Sequence, residues 1–133
     1  MVFEPASAPT ECAAFMAWYR GQTAWSEPHD YSDPANASPR LKRWYDSMRA
    51  SFPAMNGPDA TTDYDNLRVT GYTISRQVVY ADFRWEHAKA AFAESLKWAK
   101  LHRLGFFDAS GAGDVWLPVA DDQYRILKCG EAS

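Results

Sequence analysis

The sequence has no long apolar run, no excess of positive charge and only two cysteines, and each shortage excludes a class of protein. No stretch of the 133 residues approaches the length of apolar chain that spans a bilayer, so we expect no membrane association. The net charge of −3 provides no cationic field for nucleic acid, and we expect no nucleic-acid partner. The opening residues have neither a basic nor an apolar leader pattern, so we expect the chain to stay where it is made.

The two cysteines predict a reducing compartment. Cys12 and Cys129 lie far apart in the sequence, lack metal-ligand spacing and cannot form the dense disulfide framework of a small secreted domain. Cys12 falls on the apolar stripe of a predicted helix, where a free cysteine behaves as a small buried hydrophobic residue. We therefore expect a cytoplasmic protein with no metal and no cofactor.

Aromatic residues are abundant, at 15% of the chain, with six Trp, seven Tyr and seven Phe. The hydrophobic fraction of 47% and the charged fraction of 23% are ordinary globular values. The length suits one domain, which we expect over 1–133 with a polar C-terminal tail at 119–133. So many rings leave some at the surface, where Trp and Tyr supply contact area at low entropy cost, and this favours a binding function.

Three helices are predicted from apolar spacing and capping residues. Thr10 is the N-cap candidate of the first helix, which ends near Gly21. Ser38 caps the second, with Pro39 at its first position. The third runs over 85–102, before Gly105.

Strand signals occupy the segments between these helices. Alternating residues at 72–75 and 78–83 predict an antiparallel hairpin, and 106–109 and 115–117 predict a second pair. Residues 2–3 read as a short edge strand because Pro5 follows closely. The order predicts an α+β fold, with an antiparallel sheet of about four to five strands and three helices packed mainly on one face.

Two loops, at 22–37 and 59–66, combine acidic and aromatic residues and contain no Lys or Arg. Such loops are typical of functional surfaces and suit a basic partner through charge steering and aromatic anchors, although clustered Asp can instead form Asx turns and keep the surface solvated. On the interface interpretation, the candidate partner-binding residues are Trp25, Glu27, Asp30, Tyr31, Asp33, Asp59, Asp63, Tyr64 and Asp65.

No catalytic constellation is visible in the sequence. The ingredients of a nucleophile site would be His29, His87 or His102 with Cys12 or Cys129, and none of these sits in a recognisable motif. We therefore predict no catalytic residues and a protein that is not an enzyme.

Two alternatives stay open. The first is a small-ligand-binding domain or minor enzyme with a pocket between sheet and helices, lined by Tyr80, Asp82 and His87. The second is a self-association module whose surplus aromatic residues form a homodimer face. If the chain instead binds a partner protein through the two acidic loops, we expect a monomer or weak dimer.

Four segments form a recognisable pattern, namely 52–58 (FPAMNGP), 72–75 (YTIS), 79–85 (VYADFRW) and 105–110 (GFFDAS). Together they resemble small bacterial proteins found beside polymorphic or type VI secretion toxins. The resemblance spans about Trp25 to Pro118, although the first strand is shortened here by Pro5. It implies a cytoplasmic immunity protein that binds a cognate antibacterial toxin domain and covers its active site or holds it inactive. The acidic loops add the expectation that this toxin domain has a basic surface.

Overall fold

Six strands and three α-helices form the fold in the computed structural model. The structure describes residues 1–63, 65–120 and 122–132, and it describes residues 131 and 132 by their backbone alone. The α+β class is therefore confirmed. The helices are α1 (Cys12–Gln22), α2 (Pro39–Arg49) and α3 (Ala88–Leu101). The strands are β1 (Val2–Phe3), β2 (Gly71–Ile74), β3 (Val78–Asp82), β4 (Gly105–Phe107), β5 (Asp114–Pro118) and β6 (Tyr124–Lys128).

The strands form one antiparallel sheet in the order β2-β3-β1-β4-β5-β6. The prediction that residues 2–3 form an edge strand is wrong, because β1 lies in the middle of the sheet. Val2 stands opposite Val79 on one side and Phe106 on the other. Pro5 does not interfere, since it begins a 3-10 turn just beyond the strand and never has to donate to the ladder.

Position 105 requires glycine because of the aromatic ring of Phe3. A Cβ at Gly105 would overlap the aromatic ring of Phe3, which is fully buried between Phe15 and Trp18 at ring-centroid distances of 5.3 and 5.5 Å. Only glycine leaves room for the ring at this position of the strand.

Residues 119–133, predicted as a polar tail, contain strand β6. This strand pairs with β5 from Asp114↔Lys128 to Pro118↔Tyr124 and brings the strand count to six. Its polar composition follows from its place at the edge of the sheet, where only Leu127 of the strand is buried. The Tyr124 hydroxyl donates to the carbonyl of Leu104 at 2.7 Å and fixes the strand against the end of α3.

Alternate residues of the inner strands point to opposite faces of the sheet, and both faces are covered. Helices α2 and α3 cover one face, which agrees with the expected packing of helices mainly on one side, and α1 covers the other. The first face contributes Val2, Val79, Phe106 and Trp116 to one core cluster. The second contributes Phe3, Val78, Phe107, Val115 and Leu117 to another.

The helix ends follow local capping chemistry. Ser38 Oγ accepts from the Leu41 N–H at 3.3 Å, with Pro39 at the first helical position, as predicted. Helix α1 is capped by Glu11 rather than Thr10, because the Glu11 carboxylate accepts from two backbone N–H groups of the first turn. Residues 85–87, predicted as part of the third helix, form a separate 3-10 turn before α3.

A disulfide joins Cys12, at the start of α1, to Cys129, in the 3-10 turn after β6, with a Cα–Cα distance of 5.2 Å. The prediction of a free, buried Cys12 is therefore wrong. Strand β6 runs beside β5 and brings Cys129 to the face of the sheet that α1 covers, which no local pattern could indicate.

Candidate functional site

The loop between α1 and α2 is organised around Tyr31. Its carbonyl accepts from the Ile74 N–H of edge strand β2 at 2.7 Å, and its hydroxyl donates to the Glu27 carbonyl at 3.1 Å. Its ring contacts Trp25 at 5.4 Å and His29 at 4.6 Å between centroids. Both Trp25 and Tyr31 are partly buried, so these two predicted anchors hold the loop in shape.

The carboxylates of this loop have local partners. Asp30 accepts from the Ser32 N–H at 2.8 Å and from its hydroxyl at 2.7 Å, and these bonds lower the pKa of Asp30. Asp33 accepts from the Ala35 N–H at 2.9 Å and caps a short 3-10 turn. Glu27 bonds the His29 ring, which raises the pKa of His29. The Asx-turn interpretation therefore describes Asp30 and Asp33, while Asp30 stays exposed.

The second acidic loop, between α2 and β2, uses one of its three carboxylates in a structural role. Asp59 accepts from the Tyr45 hydroxyl at 3.1 Å and lies 3.7 Å from Arg49. Burial and this carboxylate raise the pKa of Tyr45. Asp63 and Asp65 are exposed, and their carboxylates have no partner among the described residues. Tyr64, predicted as an anchor, lies outside the described residues.

The two loops touch at Ser32 and Gly57. Gly57 has φ of +82°, and a Cβ there would collide with the carbonyl oxygen of Ser32. The contact requires glycine at position 57 for two reasons, the left-handed backbone conformation and the close approach of Ser32. The contact places the two acidic loops side by side next to β2. We call their acidic residues, Glu27, Asp30, Asp33, Asp59, Asp63 and Asp65, the acidic loop surface.

The second loop has two exposed apolar side chains that sequence analysis did not identify as functional residues. Met55 is 55% exposed and Leu67 is 58% exposed, next to the acidic residues. Exposed large apolar residues beside a charged rim are typical of protein-binding surfaces. The only sequence signal for them was the turn-rich composition around them, which predicts little burial.

A cavity of about 340 Å³ lies at the end of β1, between β3, α3 and the turn after β4. Tyr80 and Asp82, predicted as pocket residues, line it, whereas His87 does not. His87 has instead a buried Nε2 with no hydrogen-bond partner in the described structure. Ser95 also lines the cavity, and its hydroxyl is buried with no hydrogen-bond partner within the described residues.

The sulfur atoms that the sequence offered as nucleophiles are both held in the disulfide. Across the described ranges, no group of three or more His, Cys, Asp or Glu side chains could hold a metal ion. In the same part of the chain, no helix has the length and apolarity that crossing a bilayer requires.

Comparison with known proteins gives no relative for this chain. No family model, no curated protein and no solved structure matches it significantly.

Proposed function

We propose that this chain is an immunity protein that acts by binding, without catalysis, and neutralises a cognate antibacterial toxin domain with a basic surface. The observation that carries the proposal is the acidic loop surface, where the Ser32–Gly57 contact joins two loops that contain six acidic residues and a single cation, Arg68. A surface of this kind favours encounter with a positively charged protein. The resemblance to proteins found beside secreted bacterial toxins supports the same function.

The residues of this surface divide into contact and positioning roles. Asp63 and Asp65 present exposed charge, and Met55 and Leu67 present apolar area that a partner would cover. Tyr31 is a positioning residue, because it ties the first loop to β2. Trp25 supports it through ring contacts with Tyr31 and Tyr80. Tyr64 remains part of the proposal on its sequence position alone.

The compartment is part of the proposal, and the disulfide bears on it. Disulfides persist in oxidising compartments and are rare in the cytoplasm. The Cys12–Cys129 pair therefore opposes the expected cytoplasmic location and favours action outside it. The redox state of the two cysteines in the cell tests the compartment. Acid quenching of intact cells preserves that state, and the free thiols of the recovered protein are then counted. Two free thiols per chain would support a cytoplasmic location, whereas none would exclude it.

Co-expression with a toxin encoded beside this chain tests the function. We expect neutralisation of the toxin and a complex that survives purification. The proposal fails if the toxin stays active in the presence of the folded chain and no complex forms.

Two substitutions test the surface. Asp65→Asn should weaken binding about two- to fivefold at low salt, and less at high salt, whereas Glu86→Gln removes an exposed charge elsewhere and should have no effect. Gly57→Ala should weaken binding by more than about tenfold because it separates the loops. Gly21→Ala, in open space on α1, is the matched control for the second change. Equal affinities for Asp65→Asn and Glu86→Gln would place the interface on another surface.

A further inference from the structure

The two edges of the sheet differ in what lies beside them. Along β2, the Ile74 N–H donates to the Tyr31 carbonyl at 2.7 Å, and the Tyr72 carbonyl accepts from the Asn56 side chain at 3.5 Å. Loop segments therefore cover that edge, which is a common protection against unwanted strand pairing. Strand β6 forms the opposite edge, and in the described part of the chain no further strand lies beside it.

The hairpin between β5 and β6 fixes which backbone groups of β6 bond its neighbour. The Val119 N–H donates to the Gln123 carbonyl at 2.8 Å, so these two residues form a hydrogen-bonded pair. Such pairs alternate with non-bonded pairs along an antiparallel ladder. In the observed register, the next bonded residues of β6 are Arg125 and Leu127.

The alternate residues of β6 turn their backbone groups away from β5. The N–H groups of Tyr124, Ile126 and Lys128, and the carbonyls of Tyr124 and Ile126, have no hydrogen-bond partner among the described residues. The side chains at this edge are accessible as well, since Arg125 and Lys128 are exposed and Ile126 is 44% exposed. An edge of this kind is a template for the addition of another strand.

The sequence of β6 is complementary to itself in the antiparallel orientation. With a two-fold axis beside Ile126, the two Ile126 residues face each other and exchange N–H···O bonds. Each Lys128 N–H then donates to the Tyr124 carbonyl of the other copy. The side chain of Tyr124 faces that of Lys128, and Arg125 faces Leu127. No two like charges stand directly opposite each other, an arrangement that would destabilise the pairing.

The positive charges of β6 are compatible with this pairing. Lysine on an edge strand commonly opposes the addition of another strand. The Lys128 Nζ, however, lies 3.0 Å from the Asp114 carboxylate of β5, so its charge is paired within its own sheet. The two Arg125 residues would be diagonal neighbours about 7–8 Å apart, and salt screens their repulsion.

We propose that this chain forms a two-fold symmetric dimer through β6, in which two six-stranded sheets join into one continuous antiparallel sheet. The pairing satisfies the outward backbone groups and covers the exposed Ile126 side chains. The acidic loop surface lies next to β2, at the opposite edge of the sheet. Both copies therefore keep that surface accessible, and the dimer does not depend on toxin binding.

Sedimentation of the full chain from micromolar to millimolar concentration measures the association. Ile126→Pro removes the central donor of the pairing, and because this N–H points away from β5 the substitution leaves the β5–β6 ladder intact. We expect it to weaken dimerisation at least about tenfold. Ile126→Val keeps the N–H and the branched side chain and should dimerise like the natural chain. Added salt should strengthen the dimer, whereas it should weaken toxin binding.

Amide hydrogen exchange followed by NMR reports the register of the pairing. As the concentration rises, we expect protection to increase at Ile126 and Lys128, whose N–H groups would bond the second copy. Protection should stay constant at Arg125 and Leu127, whose N–H groups already bond β5.

Three results would overturn the proposal. The first is a monomer at millimolar concentration. The second is a dimer of undiminished affinity in the folded Ile126→Pro variant, which would place the dimer interface elsewhere. The third is protection of Ile126 and Lys128 that arises only when a toxin is added to a monomeric chain, which would assign the edge to a strand of the partner protein. The Ile126→Pro variant should still neutralise the toxin, so failure of the dimer and failure of toxin binding are distinguishable.

Discussion

The two faces of the sheet are covered in different ways. Helices α2 and α3 bury seven side chains against one face, among them Leu41, Trp44 and Met48. Helix α1 has Phe15 as its one fully buried residue on the other face, and a disulfide ties its first residue to the chain after β6. Helix α1 also packs the partly buried rings of Trp18 and Tyr19 on this face, and the covalent link adds to that packing. The faces should therefore respond differently to packing changes and to reduction.

Truncation of Trp44 should have the largest effect on stability and should act on the α2/α3 face. Trp44→Ala removes a side chain with no exposed surface, and we expect the free energy of unfolding to fall by about 3–5 kcal/mol. Urea unfolding measures the change. Trp85→Ala is the control, since Trp85 is 83% exposed and its loss should cost less than about 1 kcal/mol. Equal losses would contradict the core assignment.

Reduction of the disulfide should act on the α1 face. The bond spans 117 residues of sequence, so replacing both cysteines with serine should lower the free energy of unfolding by about 2–5 kcal/mol. Dithiothreitol should lower the stability of the natural chain and leave the double variant unchanged. Hydrogen exchange should increase in α1 before it increases in α3. Faster exchange in α3 than in α1 would contradict the proposed difference between the faces.

Two histidines should give opposite pH dependences. The bond to Glu27 raises the pKa of His29 above 6.5. The stabilisation of the folded state by charged His29 is therefore complete below pH 6.5 and is lost as the pH rises through the folded-state pKa. Burial and Arg43 lower the pKa of His102 at the end of α3, so charging it costs stability as the pH falls below 6.5. Ring titration by NMR and unfolding at pH 5.5–8 measure both effects. His29→Gln and His102→Gln should each remove the pH dependence that belongs to the substituted histidine. If the pKa values of both histidines shift in the same direction, the opposite pH dependences are refuted.

The smallest effect should be a gain in stability on the α1 face. Gly21 lies in a helix, and no atom lies within 4 Å of the position that an alanine methyl would take there, so Gly21→Ala should raise the free energy of unfolding by up to about 1 kcal/mol. Thermal unfolding measures it. Gly57→Ala should lower stability instead, because Gly57 has φ of +82°. A loss with Gly21→Ala would show that α1 needs glycine for packing.

The elements that were predicted well depend on nearby residues. The cap of α2 is set by Ser38 and Pro39, and the β2–β3 hairpin by alternation on both sides of a short turn. The missed features depend on distant residues. The central place of β1 requires both Val79 and Phe106, and the disulfide requires β6 to align with β5.

The acidic loop surface was partly visible in the sequence. Composition indicated its charge, but not that Ser32 and Gly57 would meet, because nothing local encodes a contact between two loops. The structural use of Asp59 was equally hidden, since its partner Tyr45 lies on α2. The role of each acidic residue therefore depends on tertiary contacts, even though their number could be counted directly.

The central position of β1 has a consequence for synthesis on the ribosome. The Met1 N–H donates to the Phe107 carbonyl across 106 positions of sequence, so β1 leaves the exit tunnel long before β4 and must wait for it before the sheet can close around β1. Contacts of such high order slow folding, because a large loop must close before the pairing stabilises it. Until then the apolar Val2 and Phe3 stay available to chaperones or to a neighbouring chain.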